Sequence, residues 1–432
     1  MEQSEAVSKK GHKRKSSADR QVHKPNWKEC VASVEEIQNF LMDKIMLRHN
    51  VITGRVECRV PSSYEHEATD WTPISDRAVN SLWSELSQTK SVRVQDIYRV
   101  IESDFVPDFH PFQYYLDHLP PWDEQDYILS MSVSVIVKGG VDEQMLFAEY
   151  LKKWLVGMVA AWVDDSVVNN VILVLIGEQG SYKTTWFNYL LPPELSRYFY
   201  TKTNANRMGR DDLLTLTQYA LVCCEELDTM RPSELNQLKA AVTMPSIDER
   251  AAYAHFHEHR KHIASFCGTG NNPHFLSDPT GNRRWLPFEV ESIDSPREHP
   301  FDYVKIYSQA YALYKQGFRY WFSQEEIKRL QVHNLQFQTA RLEAELVQLY
   351  FRQPVGVEGG MFMSVARALQ IVSANISQKL SAVYLGRAFN DLGFKSVKYR
   401  GQRGYVVELR TGDEIQRLQR KMVDECDVDS GQ

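Results

Sequence analysis

The stretch Val171 to Thr185, VILVLIGEQGSYKTT, constrains this chain more than any other. Its first six residues, Val171 to Ile176, form an unbroken apolar and β-branched run. Such a run suits a parallel strand covered on both faces. Gly177 and Gly180 let the backbone turn and aim its N–H groups inward, and Trp186 to Leu191 continue as a helix before Pro192-Pro193. A strand, a glycine loop, Lys-Thr and a helix make a phosphate-binding loop. Gly177, Gly180, Ser181, Lys183, Thr184 and Thr185 are its nucleotide-binding candidates. Lys183 neutralises β/γ-phosphate charge, and the Thr184 hydroxyl ligates Mg²⁺. Tyr182 departs from the pattern, because it stands where the second glycine is expected. The plain alternative is a strand–turn–helix corner carrying a chance lysine.

The next signals lie downstream. Tyr219 to Cys224 reads as a buried strand running into Glu225-Glu226-Leu227-Asp228, about 40 residues after the lysine, on the βαβ scale. A strand ending in consecutive acids is the second half of a P-loop ATPase. By order, Glu225 goes to the metal and Glu226 to the attacking water; a charged helix cap is the alternative. A helix over Ser233 to Val242, capped by Ser233, follows. Asp248 to Ala254 and Ile263 to Thr269 then read as strands joined by His255 to His262. Asn271, at the tip of the second, is the candidate sensor for the γ-phosphate or the water. The joining segment mixes basic and aromatic groups and suits single-stranded nucleic acid, with His257, Arg260 and Lys261 as contacts. His255, His257 and His259 alternate as metal ligands on one strand face can, but nothing completes the set; a solvated hairpin is the third option. Asp278 to Glu289 presents Arg283 and Arg284 before a strand. Either suits a guanidinium offered to a neighbouring subunit's site, and both are alternatively plain surface residues.

Composition narrows the class. The chain has 432 residues, 43% hydrophobic and 25% charged, with a net charge of −6, so nucleic-acid binding must use local basic patches. Six cysteines form no metal spacing or disulfide framework, and Cys223 and Cys224 read as reduced core residues. No apolar stretch is long enough to span a bilayer; the expectation is a soluble cytoplasmic protein without a membrane partner. Residues 1–26 form a basic tail, read either as a loose grip on nucleic acid or as a solvated leader. Residues 27–104 read as a mixed accessory domain, with helices over Val34 to Leu47, Asp76 to Leu86 (capped by Ser75) and Val94 to Ile101, and strands within Val51 to Cys58. His110 to Trp122 reads as a hinge. Residues 105–340 carry a helical collar, over Asp123 to Val137 and Asp142 to Val163, and then the ATPase core.

Residues 341–410 read as a winged helix. Its helices are Arg341 to Phe351, Val365 to Val372 and Leu380 to Leu392, with Gly393 as C-cap, and a hairpin pairs Phe394 to Arg400 with Tyr405 to Leu409. Lys395, Lys398, Arg400 and Arg403 lie on the wing with no acid among them. DNA binding through Lys398, Arg400 and Arg403 is favoured over a protein-docking role. Residues 411–432 read as a loose acidic tail.

With these residues in place, the chain resembles the virulence-associated protein E family, P-loop ATPases of phages and mobile elements related to superfamily 3 helicases. Four motifs carry the resemblance: GEQGSYKTT, CCEELD, SFCGTGNN and DPTGNRRWLPFEV. Over about residues 105 to 340 it implies an α/β fold, an AAA+-like ATPase domain of superfamily 3 helicase type; the C-terminal winged helix read from the residues fits the same architecture, behind a mixed N-terminal domain. It makes Glu225 and Glu226 the Walker B pair, Asn271 sensor 1, and Arg283 or Arg284 the arginine finger. It also implies that the hairpin at about Ala254 to His262 reaches into a pore. Members are often joined to, or encoded beside, a primase; no primase motif is visible here.

The expected activity is that of an ATP- and Mg²⁺-dependent DNA helicase-like ATPase. It would act on single-stranded or forked DNA as a homo-oligomeric ring, with a separate primase, during replication of a mobile element. One rival is a non-translocating ATPase switch in a defence or regulatory system. Another is a DNA-binding regulator with a degenerate loop, against which Lys183, Glu225 and Glu226 argue.

Overall fold

The computed structural model describes residues 31–60, 70–202, 210–249, 258–277, 282–339, 342–354, 360–374, 376 and 380–429. The basic tail, His255 and His257 lie outside these residues. The chain divides into two units, Met1–His118 and Leu119–Gln432.

In the first unit, Ser33 and Glu36 close a capping box on the helix Val34–Lys44, which ends before the expected Leu47. Met46 and Leu47 instead begin a strand, β1 (Met46–Asn50), which pairs antiparallel with β2 (Arg55–Arg59). β3 (Thr72–Pro73) and β4 (Asp108–Phe109) complete a sheet of order β3-β2-β1-β4. The helices Asp76–Leu86 and Val94–Ile101 stand where periodicity predicts them, and the Ser75 hydroxyl accepts the Ala78 N–H at 3.2 Å. Ile37, Leu41, Val79, Leu82, Ile97 and Ile101 form the core. Arg48 is bonded to Glu57 at 2.8 Å, with its guanidinium 3.6 Å from the centre of the Phe109 ring.

The second unit is organised by a six-stranded sheet. Its strands are β5 (Val135–Val137), β6 (Ile172–Ile176), β7 (Phe199–Lys202), β8 (Leu221–Cys224), β11 (Ser265–Gly270) and β12 (Trp285–Ile293), in the order β5-β12-β6-β11-β8-β7. All neighbours are parallel except β5, which runs antiparallel to β12 at the edge. β6 is buried at every residue, as a parallel strand flanked on both sides should be. The helical reading of Asp123 to Val137 holds only for Tyr127–Ser132. Val135 and Val137 are buried while Ile136 is 40% exposed, the alternation of an edge strand, and the offer of pairing on β12 outweighs local helical propensity.

The 24-residue helix Gly140–Val163 is buried from Trp154 to Trp162. It packs on the sheet through Trp154, whose indole N–H donates to Phe266 O at 3.0 Å. Behind it lies the helix Tyr303–Lys315, with Trp162 and Tyr307 stacked at 5.6 Å.

Two corrections concern the segment between β8 and β11. The helix there is Pro232–Ala241, and its cap is Arg231 rather than Ser233: Glu234 takes the Arg231 N–H at 2.8 Å while Pro232 occupies the first turn. The segment expected as a joining loop is in part strand. β9 (Ser246–Glu249) and β10 (Glu258–Lys261) form a separate antiparallel hairpin, with Ser246 opposite Lys261.

The C-terminal part contains the helices Leu342–Tyr350, Val365–Ser373 and Ala382–Asp391. Its sheet is richer than the expected hairpin. β13 (Phe351–Arg352) and β14 (Met361–Ser364) pair with opposite portions of β16 (Gln402–Leu409), which also carries β15 (Ser396–Tyr399). Gly393, at φ 75°, ends the last helix: its N–H and that of Phe394 return to Asn390 O and Phe389 O. The tail expected to be loose is helical over Gly412–Asp429, and Thr411 and Glu414 exchange hydrogen bonds at its start. Among the described residues, no helix is long and apolar enough to cross a membrane.

Candidate functional site

Parallel strands β6, β11 and β8 lie side by side, so the turns that follow them share one edge of the sheet. After β6 comes the glycine loop. The Gly177 N–H donates to Gly270 O at 3.1 Å, tying the first residue of the loop to the end of β11. Gly180 adopts φ 86°, and its backbone is the turn that the sequence assigns to it. Tyr182 also adopts a left-handed conformation, at φ 59°, with its side chain 47% exposed. The position therefore keeps a backbone suited to glycine while carrying an aromatic residue, at a cost of roughly 1–2 kcal/mol. Its carbonyl accepts the Trp186 N–H at 2.7 Å and starts the helix Lys183–Asn188.

Lys183 is 7% exposed. Its ammonium donates to Gly177 O at 2.7 Å, Glu178 O at 2.6 Å and Ser181 Oγ at 3.2 Å. Burial lowers its pKa below that of a free lysine, and the charges of Asp228 and Glu178 work in the opposite sense. Thr184 and Thr185 are half-buried at the start of the helix.

After β8 come the acids. The Glu225 N–H reaches Lys202 O on β7 at 3.3 Å. Glu226 is exposed and left-handed at φ 54°, the second strained non-glycine residue on this edge. Leu227 then turns inward against Gly268, where an added Cβ would meet Leu227 Cδ1 at 2.3 Å. Asp228 follows, and sequence reasoning assigned it no role. Its Oδ2 accepts the Asn272 N–H at 3.1 Å, bridging the turns after β8 and β11. Its Oδ1 is buried without a hydrogen-bond partner among the described residues. The signal was its place in the acidic turn; its bond to Asn272 spans 44 positions. Asn271 is exposed at the end of β11.

Arg283 and Arg284 sit in a single helical turn, Asn282–Arg284, that leads into β12. Arg283 is exposed; Arg284 is half-buried, and its pKa is lowered by burial and by the charge of Arg283. Neither forms an ion pair among the described residues. The turn is held from behind by Asn334, fully buried, whose amide donates to Asn282 O at 2.8 Å and Trp285 O at 3.0 Å. Nothing in the local sequence marks Asn334, because its partners lie 52 and 49 positions away.

The proposed nucleic-acid contacts fall into two groups. In β10, Lys261 is turned onto the end of the long helix, where its ammonium donates to Ala161 O at 3.1 Å and to Asp164 O, and pairs with Asp165 at 3.3 Å. Arg260 is half-buried beside it, and His257 lies outside the described residues. His259 is bonded to Asp248 at 2.6 Å, and the described residues contain no cluster of three metal-ligating side chains. On the hairpin β15–β16, Lys395, Lys398, Arg400 and Arg403 are all exposed. Arg403 reaches Ser396 Oγ at 3.2 Å, and the Arg400 guanidinium lies 5.4 Å from the Tyr399 ring centre.

The edge thus gathers a lysine inside a glycine loop, hydroxyl and carboxylate oxygens, and a polar strand tip. This is chemistry suited to a polyphosphate and a hard divalent cation. No curated protein matches the chain. Among solved structures, the apo structure of the NrS-1 C terminal region (305-718) is 12% identical at a TM-score of 0.46, covering 87% of this chain and 98% of that one. The A form apo structure of that region is 11% identical at a TM-score of 0.45, covering 87% and 100%. A family model described as the virulence-associated protein E-like domain matches residues 116–339. That span is more than half of the chain and contains every turn of this edge, so the chain belongs to the virulence-associated protein E-like family.

Proposed function

We propose that this chain is an ATP- and Mg²⁺-dependent DNA helicase-like ATPase that supports replication of a phage or mobile element beside a separate primase. The observation that carries the reading is the meeting, on one sheet edge, of the glycine loop after β6, the Asn271 turn after β11 and the acidic turn after β8.

The residues fit such a substrate and cation. The donors are oxygens, the Thr184 hydroxyl and the carboxylates of Glu225 and Asp228, and one buried oxygen of Asp228 has no partner among the described residues. Mg²⁺, held by the Thr184 hydroxyl and the carboxylates of the acidic turn, would neutralise charge on the phosphate oxygens. Gly177, Gly180, Ser181 and Thr185 shape the phosphate cradle, and Lys183 neutralises the β/γ charge. Glu226 orients and deprotonates the attacking water, and Asn271 hydrogen-bonds the water or the terminal phosphate. Arg283 or Arg284 serves a neighbouring subunit in a homo-oligomeric ring, a use that fits a guanidinium with no ion pair among the described residues. Residues 119–340 form the ATPase, the boundary falling after His118 rather than at 105 because Asp108–Phe109 joins the first unit's sheet, and residues 341–410 form a winged helix. The exposed bases of the β15–β16 hairpin bind DNA.

The test is ATP hydrolysis with and without single-stranded DNA, comparing wild type with Lys183→Ala and Glu226→Gln. The expected result is DNA-stimulated hydrolysis that both variants lose. Hydrolysis indifferent to DNA, with no strand separation, would move the protein to the class of ATPase switches. A wild type that neither binds nor hydrolyses ATP would sink the reading.

A further inference from the structure

Four observations converge on Asp228. Its Oδ2 is fixed by the Asn272 N–H at 3.1 Å, so the carboxylate cannot swing freely. Its Oδ1 is buried and has no partner among the described residues, and a buried carboxylate oxygen without a donor or cation is costly. That oxygen lies against Gly270, where an added Cβ would come within 3.1 Å of it. Gly270 in turn accepts the Gly177 N–H, so the acid, the strand end and the glycine loop are contiguous. Glu225, by contrast, is bonded through its backbone N–H to Lys202 O, and among the described residues no hydrogen bond or ion pair fixes its carboxylate.

We infer that Asp228, rather than Glu225, is the principal carboxylate of the divalent-cation shell, with Oδ1 facing the cation or its water and Oδ2 locking the Asn271–Asn272 turn. The inference rests on the nucleotide-binding reading above. It gives Asp228 two tasks at once. The same carboxylate that answers the cation holds the backbone beside Asn271, so cation binding and the placement of that side chain are mechanically linked. Ionised oxygen donors suit Mg²⁺, and a carboxylate held by a backbone N–H is preorganised to receive it.

The experiment measures binding of a non-hydrolysable ATP analogue with Mg²⁺ and with chelator, for wild type, Asp228→Asn, Glu225→Gln and Lys183→Ala. Asparagine retains an oxygen for the Asn272 N–H, and thermal unfolding checks that the variant is folded. Asp228→Asn is expected to reduce the Mg²⁺-dependent gain in affinity by at least about tenfold, with metal-free binding within about twofold of wild type. Glu225→Gln is expected to lose less of that gain than Asp228→Asn, because the inference ranks the two carboxylates. If Asp228→Asn fails to fold, Gly270→Ala crowds the same oxygen and should show the same selective loss. An undiminished Mg²⁺ gain in Asp228→Asn, or its loss in Glu225→Gln alone, overturns the inference. Lys183→Ala separates the two levels: if it binds the analogue as tightly as wild type, the nucleotide-binding reading itself fails.

Discussion

Asn334 donates its side-chain amide to the carbonyl oxygen of Trp285 at 3.0 Å, and the same amide takes Asn282 O at 2.8 Å. One buried side chain therefore brackets both ends of the turn that carries Arg283 and Arg284. Asn334→Ala leaves two buried carbonyls without this donor, and we expect a loss of about 2–3 kcal/mol in stability by urea unfolding. If the arginines act across a subunit boundary, hydrolysis should fall further than stability alone explains, and only at protein concentrations that support assembly. Unchanged unfolding would remove Asn334 from that role.

Tyr182 occupies a backbone conformation that glycine adopts freely. Tyr182→Gly should retain nucleotide binding and lose no stability, because relief of left-handed strain offsets the added freedom of the unfolded chain. Tyr182→Val should lower stability by about 1–2 kcal/mol, since a β-branched side chain tolerates positive φ poorly. Thermal unfolding of the pair checks both signs.

Gly268 faces Leu227 too closely for any side chain, with an added Cβ only 2.3 Å from Leu227 Cδ1 and 3.1 Å from Cys224 O. Gly268→Ala should cost about 1–3 kcal/mol through overpacking and disturb the acidic turn. Smaller residues at position 227 should restore part of the loss. Double-variant unfolding measures the coupling.

Glu326 supplies a pH prediction. Its side chain is 7% exposed and meets Lys153 at 3.2 Å and Arg319 at 2.9 Å. Burial opposes its ionisation, but the Ser323 N–H and the Lys153 ammonium outweigh that and hold its pKa at about 2. A depressed carboxylate contributes stability that is complete above its unfolded pKa and lost as pH falls. We expect this share of stability to disappear between about pH 5 and pH 2. Glu326→Gln should flatten that part of the profile.

On the β15–β16 hairpin, Lys398 and Arg403 are exposed on opposite strands and directly paired. If both contact phosphates, Lys398→Ala with Arg403→Ala should lower the slope of log affinity against log salt by about two and weaken binding irrespective of DNA sequence. An unchanged slope would move DNA contact elsewhere.

What could be read beforehand was local. The strand before Gly177, the turn at Gly180 and the Gly393 cap are legible because the residues that specify them are neighbours in the chain. The capping box of Thr411 and Glu414 was equally local, yet the acidic composition around it suggested a loose tail. What stayed hidden depends on distant pairing. Val135–Val137 becomes a strand only because β12 offers an edge, and Asp228 and Asn334 acquire their partners through the tertiary fold. Periodicity records which face is buried; it does not record which carbonyl waits there.

Lys261, at the foot of the β9–β10 hairpin, grips the last turn of the helix Gly140–Val163 through Ala161 O and Asp164 O. In mechanical terms the hairpin is a cantilever clamped at its root. Its root therefore rests on that helix end, and the helix runs back under the sheet to Trp154 and β11. The root of the hairpin and β11, which ends at Gly270 beside Asn271, are thus held by one and the same helix.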